Sequence, residues 1–312
     1  MVIIHFIMRV QYIIILVGFL TGSCTGNTNS KNVKTSKGFS LPAIPVIMVD
    51  PQQRADYLLN HYWDNFDFND TTLISQPQIT EQAFVDYLDV MTQTTSQSIE
   101  SSIRHTLEQA QKNAEMFAHF TDLFEKYLYD PNSPMRNEEI YIYVLEYIIA
   151  SPQVDEPYKI RPRFQMEQLS KNRPGQIAVD FTYTLADGKQ GRMHQINSNY
   201  LIIFFNNPGC AACRDIQYGF ERSPVITQMQ KTGKLKILAM YVDNDIDAWM
   251  QYRINIPTQW INGYDKLFVI NGENLYDLRA IPNLYLLDKD KRVILKDAQP
   301  ERLESYLIST HP

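Results

Sequence analysis

Two cysteines separated by two alanines, Cys210-Ala211-Ala212-Cys213, are the residues whose types and spacing could do chemistry in this chain. Thiolates exchange with disulfides through a mixed disulfide, and a second thiol about one helical turn away can resolve that intermediate. If Cys210 lies in the first turn of a helix, unpaired backbone N–H groups and the dipole favour its thiolate, making it the more acidic and more nucleophilic of the two. The same spacing also supplies half of a zinc site. The chain is poor in further ligands. Cys24 is the only other cysteine, and His5, His61, His105, His119, His194 and His311 have no paired spacing. Redox exchange without metal or cofactor is therefore the expectation, alongside a fold that keeps its cysteines without using them.

The elements that must position such a pair can be read on either side of it. Tyr200 to Phe205 is an apolar run rich in β-branched and aromatic residues, as in a fully buried central strand, and Asn206-Asn207-Pro208-Gly209 follows as a turn. After Cys210, two alanines open a segment that can continue as helix, with a break and restart at Ser223-Pro224. Lys234 to Val242 is a second apolar strand. Asp243 to Asp247 begins like a calcium loop, but Ala248 stands where that loop needs glycine and Ile254 where it needs its closing glutamate, so a strand-end turn and helix cap is expected. Ala186-Asp187-Gly188-Lys189 marks a hairpin between Gly175–Thr184 and Arg192–Ile196. Ile281-Pro282 precedes a strand over Leu284 to Leu287, followed by a turn, a strand from Arg292 to Leu295 and a last helix from Pro300 to Ile308.

Earlier in the chain the pattern is different. Residues 1–24 carry Met8-Arg9, an apolar run from Tyr12 to Leu20, and Leu20-Thr21-Gly22-Ser23-Cys24, which resembles a bacterial lipoprotein signal with Cys24 as the lipidated first residue. Residues 25–49 are a flexible tether, its first part almost without apolar side chains. Residues 50–171 read as an all-helical domain. It starts at Asp50-Pro51 with Leu58, Leu59, Tyr62, Trp63 and Phe66 at helical spacing, and its longest helix spans Ser96 to Tyr129. Further helices are expected near Thr80, from Ser133-Pro134 and over Pro157–Lys171. A composition change at Asn172-Arg173-Pro174-Gly175 sets the start of a second domain, 172–312. The net charge of −6, without a Lys/Arg cluster, excludes a basic nucleic-acid face.

The motifs Gly175-Gln176-Ile177-Ala178-Val179-Asp180-Phe181, Cys210-Ala211-Ala212-Cys213 and Ile281-Pro282 occur in that order. On them, residues from about 172 to 308 resemble the thioredoxin superfamily, specifically the TlpA/ResA-like thiol–disulfide oxidoreductases and their redoxin relatives. The helical half resembles a domain of unknown function found ahead of such domains in bacterial lipoproteins. The resemblance implies an α/β thioredoxin-like domain, a mixed sheet flanked by helices, behind the all-α domain. It implies Cys210 as nucleophile, Cys213 as resolving cysteine, a disulfide between them, and Ile281 and a cis Pro282 as the loop that meets a bound partner. Partners would be protein dithiols and disulfides, in a cell envelope or periplasm, with membrane contact through lipid on Cys24 and a protein partner for the helical domain. Some positions depart from the family. Gly209 replaces the usual tryptophan, Phe204 stands in place of a buried aspartate, and Ile216 in place of a glutamate, leaving Asp215 as a weak substitute base and Arg214 as a neighbouring cation. Ile203 and Asn207 stand where a peroxidase relative carries proline and threonine. An enzyme is the leading expectation; a lipid-anchored interaction protein with a catalytically weak thioredoxin-like domain is the alternative.

Overall fold

The computed structural model describes residues 39–310, so Cys24, the apolar leader and most of the tether lie outside the described residues. Residues 39–310 belong to one compact unit.

Among the described residues, six α-helices come first, α1 (Pro51–Asn60), α2 (Thr80–Met91), α3 (Ser96–Ala110), α4 (Ala114–Phe124), α5 (Glu138–Ala150) and α6 (Glu156–Ser170). Local chemistry sets their starts. Asp50 accepts the Gln53 N–H ahead of a proline in the first turn, and Asn137 accepts the Ile140 N–H. The single helix expected over Ser96–Tyr129 is divided. The Asn113 side chain accepts from Glu115 and Met116 N–H and so starts a new helix, and the last turn, Glu125–Tyr129, is π-helical. The first helix is shorter than its apolar spacing indicates, because residues 61–65 turn away to bury Tyr62 and Trp63. The fourth expected helix begins at Glu138 rather than at Ser133, whose hydroxyl is used by the preceding turn. A core of tightly packed rings, including Tyr62, Trp63, Phe84, Tyr87 and Phe120, holds these helices.

The second part is a seven-stranded sheet in the order β2-β1-β5-β4-β3-β6-β7. Its strands are β1 (Thr182–Thr184), β2 (Gln190–Arg192), β3 (Tyr200–Phe205), β4 (Leu235–Tyr241), β5 (Ile261–Tyr264), β6 (Asn283–Asp288) and β7 (Val293–Leu295). Strands β3, β4 and β5 are parallel, whereas β6 is antiparallel to β3. Side chains of β3 alternate between two cores. Ile202 and Phe204 face one with Cys213, Phe220, Ile226, Leu303 and Leu307. Leu201, Ile203 and Phe205 face the other with Phe181, Ile270, Tyr276 and Tyr285. The first face is covered by α7 (Ala211–Arg222), α8 (Pro224–Lys231) and α11 (Pro300–Thr310). The remaining helices, α9 (Ile246–Tyr252) and the short α10 (Val269–Gly272), follow β4 and β5. Asp245 caps α9 by accepting the Ala248 N–H at 2.9 Å, as expected of a turn rather than a cation loop. Strand β5 was not foreseen. Its Gly263, like Gly191 of β2, sits against the Tyr183 ring, where a Cβ at Gly191 would approach the ring to 2.5 Å.

Candidate dithiol site

Strand β3, an interior strand, ends at Phe205, and the turn that follows its C-terminal end uses Gly209 at φ 76°. That is the left-handed region, which a tryptophan would occupy only at a cost, so the change at this position goes with the shape of the turn. Cys210 is the N-cap of α7, one residue before the helical turn in which the sequence placed it. The Cys213 N–H donates to Cys210 Sγ at 3.0 Å, and the two sulfurs are joined as a disulfide with Cα atoms 5.2 Å apart. Cys213 is fully buried and Cys210 only partly so. In this oxidised form the Cys210 sulfur has the geometry of a cap: one N–H aimed at it and a twelve-residue helix behind, a setting that favours a thiolate.

The second wall comes from far along the sequence. Asn283 pairs with Phe205, so the residues just before β6 stand beside the turn that leads to Cys210. Ile281 and Cys210 pack against the same core cluster that contains Cys213. The Ile281–Pro282 peptide is cis. Sequence-expected Cys210, Cys213, Ile281 and Pro282 are thus brought together.

The surroundings are apolar. Phe204 is buried beneath the site with its ring 6.1 Å from Trp260, in edge contact. Ile216 also packs into this core. Among the described residues no carboxylate hydrogen-bonds either sulfur; Asp215 and Arg214 are exposed. Arg214 lies near Tyr252, whose phenol is pushed up by burial and drawn down by that guanidinium. Behind the second wall, burial pushes Tyr276 and Tyr285 upward. Among the described residues no group of three His, Cys, Asp or Glu could hold a metal.

Several residues at the site were not singled out in the sequence. The buried side-chain oxygens of Asn207 and Asn283 accept no hydrogen bond, while Asn283 Nδ2 donates to the Asp277 carbonyl at 3.1 Å. Asp277 is in turn gripped by Arg279. A polar residue at the first position of a buried strand was the available sign for Asn283; Arg279 gave none.

Residues 21–172 match the family described as a domain of unknown function (DUF5106). No curated protein matches the chain. Among solved structures, a thioredoxin-like protein from Bacteroides caccae is 50% identical, with a TM-score of 0.85, covering 88% of this chain and 99% of its own. The C-terminal domain of an uncharacterized protein from Bacteroides fragilis is 49% identical, with a TM-score of 0.44 over 45% of this chain and 99% of its own. A conserved protein of unknown function from Bacteroides fragilis is 39% identical, with a TM-score of 0.43 over 43% of this chain and 98% of its own.

Proposed function

This chain belongs to the thioredoxin-like proteins, and from that premise we propose that it is a cell-envelope thiol–disulfide oxidoreductase working through Cys210 and Cys213. The observation that carries the reading is the arrangement of the two sulfurs: a partly exposed one capping a helix and a buried one bonded to it. In the reduced chain the Cys210 thiolate attacks one sulfur of a partner disulfide. The partner S–S bond breaks, a Cys210–partner bond forms, and the departing thiolate takes a proton. Cys213, deprotonated, then attacks Cys210 Sγ and releases the second partner thiolate, which is protonated in turn. The partner gains two electrons and two protons, and the chain is left with the Cys210–Cys213 disulfide. The reverse sequence oxidises a partner dithiol. No step requires a metal or cofactor.

The substrate class is a protein disulfide or dithiol, since Ile281 and Pro282 form a wall beside Cys210 along which a polypeptide can lie. The sequence of residues 1–24 supports an envelope location, with lipid on Cys24 tethering the protein to a membrane. Phe204 and Ile216, apolar where relatives carry acids, favour the alternative of a lipid-anchored scaffold, and one experiment separates the two. Cys213→Ser should accumulate mixed disulfides through Cys210 with protein partners, while Cys210→Ser should accumulate none. Alkylation of the reduced protein near neutral pH should label Cys210 before Cys213. Absence of trapped partners, together with a Cys210 thiol no more reactive than a free one, rejects the enzyme.

A further inference from the structure

The loop that forms the second wall is held from outside the thioredoxin fold. Arg279 Nε donates to both carboxylate oxygens of Asp277 at 2.8 and 2.9 Å, within the loop. Nη1 donates to the Tyr129 carbonyl of the helical part at 2.9 Å, and Nη2, 2.7 Å from Asp277 Oδ2, also donates to Glu138 at 3.2 Å. The guanidinium also lies 3.5 Å from the centre of the Tyr129 ring. Stacking and a planar fork at once are what arginine supplies and lysine does not. Glu138 is fixed on its far side by Lys296, at 3.0 Å, which itself donates to the Leu169 and Lys171 carbonyls at the end of α6. From Asp277 the hold continues inward, because its carbonyl accepts from Asn283, the residue that pairs with Phe205. Two further contacts from the end of the helical part hold the start of the loop: Lys171 to the Asn274 carbonyl at 3.0 Å and Asn172 to that of Leu275 at 2.8 Å.

We propose that Arg279 is a positioning residue through which Tyr129 and Glu138 of the helical part set the wall Asp277–Pro282, and with it the recognition of protein disulfides at Cys210. The inference rests on the exchange activity proposed above and adds a role for the helical part. A small disulfide needs only the Cys210 sulfur. A protein disulfide must also lie across the wall, so a wall freed to shift weakens its binding without altering the sulfur chemistry.

The test measures turnover of the full chain with dithiothreitol as reductant and insulin as the protein disulfide, beside single-turnover reaction of the reduced chain with 4,4′-dithiodipyridine. Arg279→Lys and Glu138→Gln should each raise KM for insulin about fivefold or more, with kcat and the small-disulfide rate within about twofold of wild type. Tyr129→Phe, which keeps the ring and the carbonyl, should behave as wild type, whereas Tyr129→Leu should resemble Arg279→Lys. Arg279→Lys is the mildest change, and a cooperative melt shows that it is folded. An unchanged KM in folded Arg279→Lys and Glu138→Gln overturns the inference while leaving the oxidoreductase reading intact. So does an equal loss with both substrates, which marks the contacts as structural only. A wild-type chain that reduces neither substrate rejects the proposed activity and this inference with it.

Discussion

Asn172 joins the helical part to the sheet, and its replacement gives a prediction whose size can be worked out. The residue is 2% exposed and has φ 54°, in the left-handed region. Its side chain does two things: Oδ1 accepts the Val179 N–H at 2.8 Å, and Nδ2 donates to the Leu275 carbonyl, also at 2.8 Å. Asn172→Gly keeps the backbone conformation at no steric cost but leaves both backbone groups without their partner. At roughly 1–2 kcal/mol for each lost bond, the variant should be destabilised by about 2–4 kcal/mol. Asn172→Ala loses the same two bonds and adds about 1 kcal/mol for a Cβ at positive φ, so alanine should be the worse replacement. Urea unfolding of the oxidised protein at 25 °C, followed by both circular dichroism and tryptophan fluorescence, measures the series. If alanine is as stable as glycine, or if both stay within about 0.5 kcal/mol of wild type, the account of this junction is wrong.

Burial pushes Asp297 up to about 6, against the pull of Arg136, with Glu138 and Asp277 adding to the rise. Its folded pKa is above the ordinary aspartate value, so the protonated form is favoured by the fold. The stability tied to it is present below about pH 4 and lost as pH rises through about 6, to a ceiling of roughly 3 kcal/mol. Asp297→Asn should remove that component, and the difference in unfolding free energy between variant and wild type should change between pH 4 and 7; parallel curves would show that Asp297 does not titrate differently on folding. For the amino terminus, Cys24→Ala should abolish lipidation and membrane fractionation. Intact mass of the membrane-extracted wild type showing a free Cys24 thiol would reject the anchor.

What could be read from the sequence was what is local. Cys210 and Cys213 are three residues apart, β3 is an unbroken apolar run, and Ser223-Pro224 announces its own helix start, so the site and its central strand could be seen without tertiary information. Local readings failed where a side chain acts against a periodic pattern. The apolar stripe runs on through Gln111-Lys112-Asn113, yet Asn113 spends its side chain capping a new helix. Strand β5, Ile-Asn-Gly-Tyr, lacks alternation because Asn262 bonds the Trp249 indole at 3.2 Å and Gly263 makes room for Tyr183. The clamp on the second wall had no local sign at all. Arg279 meets Tyr129 and Glu138 across separations of 150 and 141 residues, and each of the three looks like an ordinary surface or helix residue in its own neighbourhood. Sulfur exchange needs two thiols on one turn of helix, whereas choosing among partners needs a wall in a set place. The first can be encoded by a four-residue motif. The second is encoded by contacts between distant segments, and on the proposal above it is there, in the choice of partner and not in the sulfur chemistry, that a helical part without cysteines of its own acts.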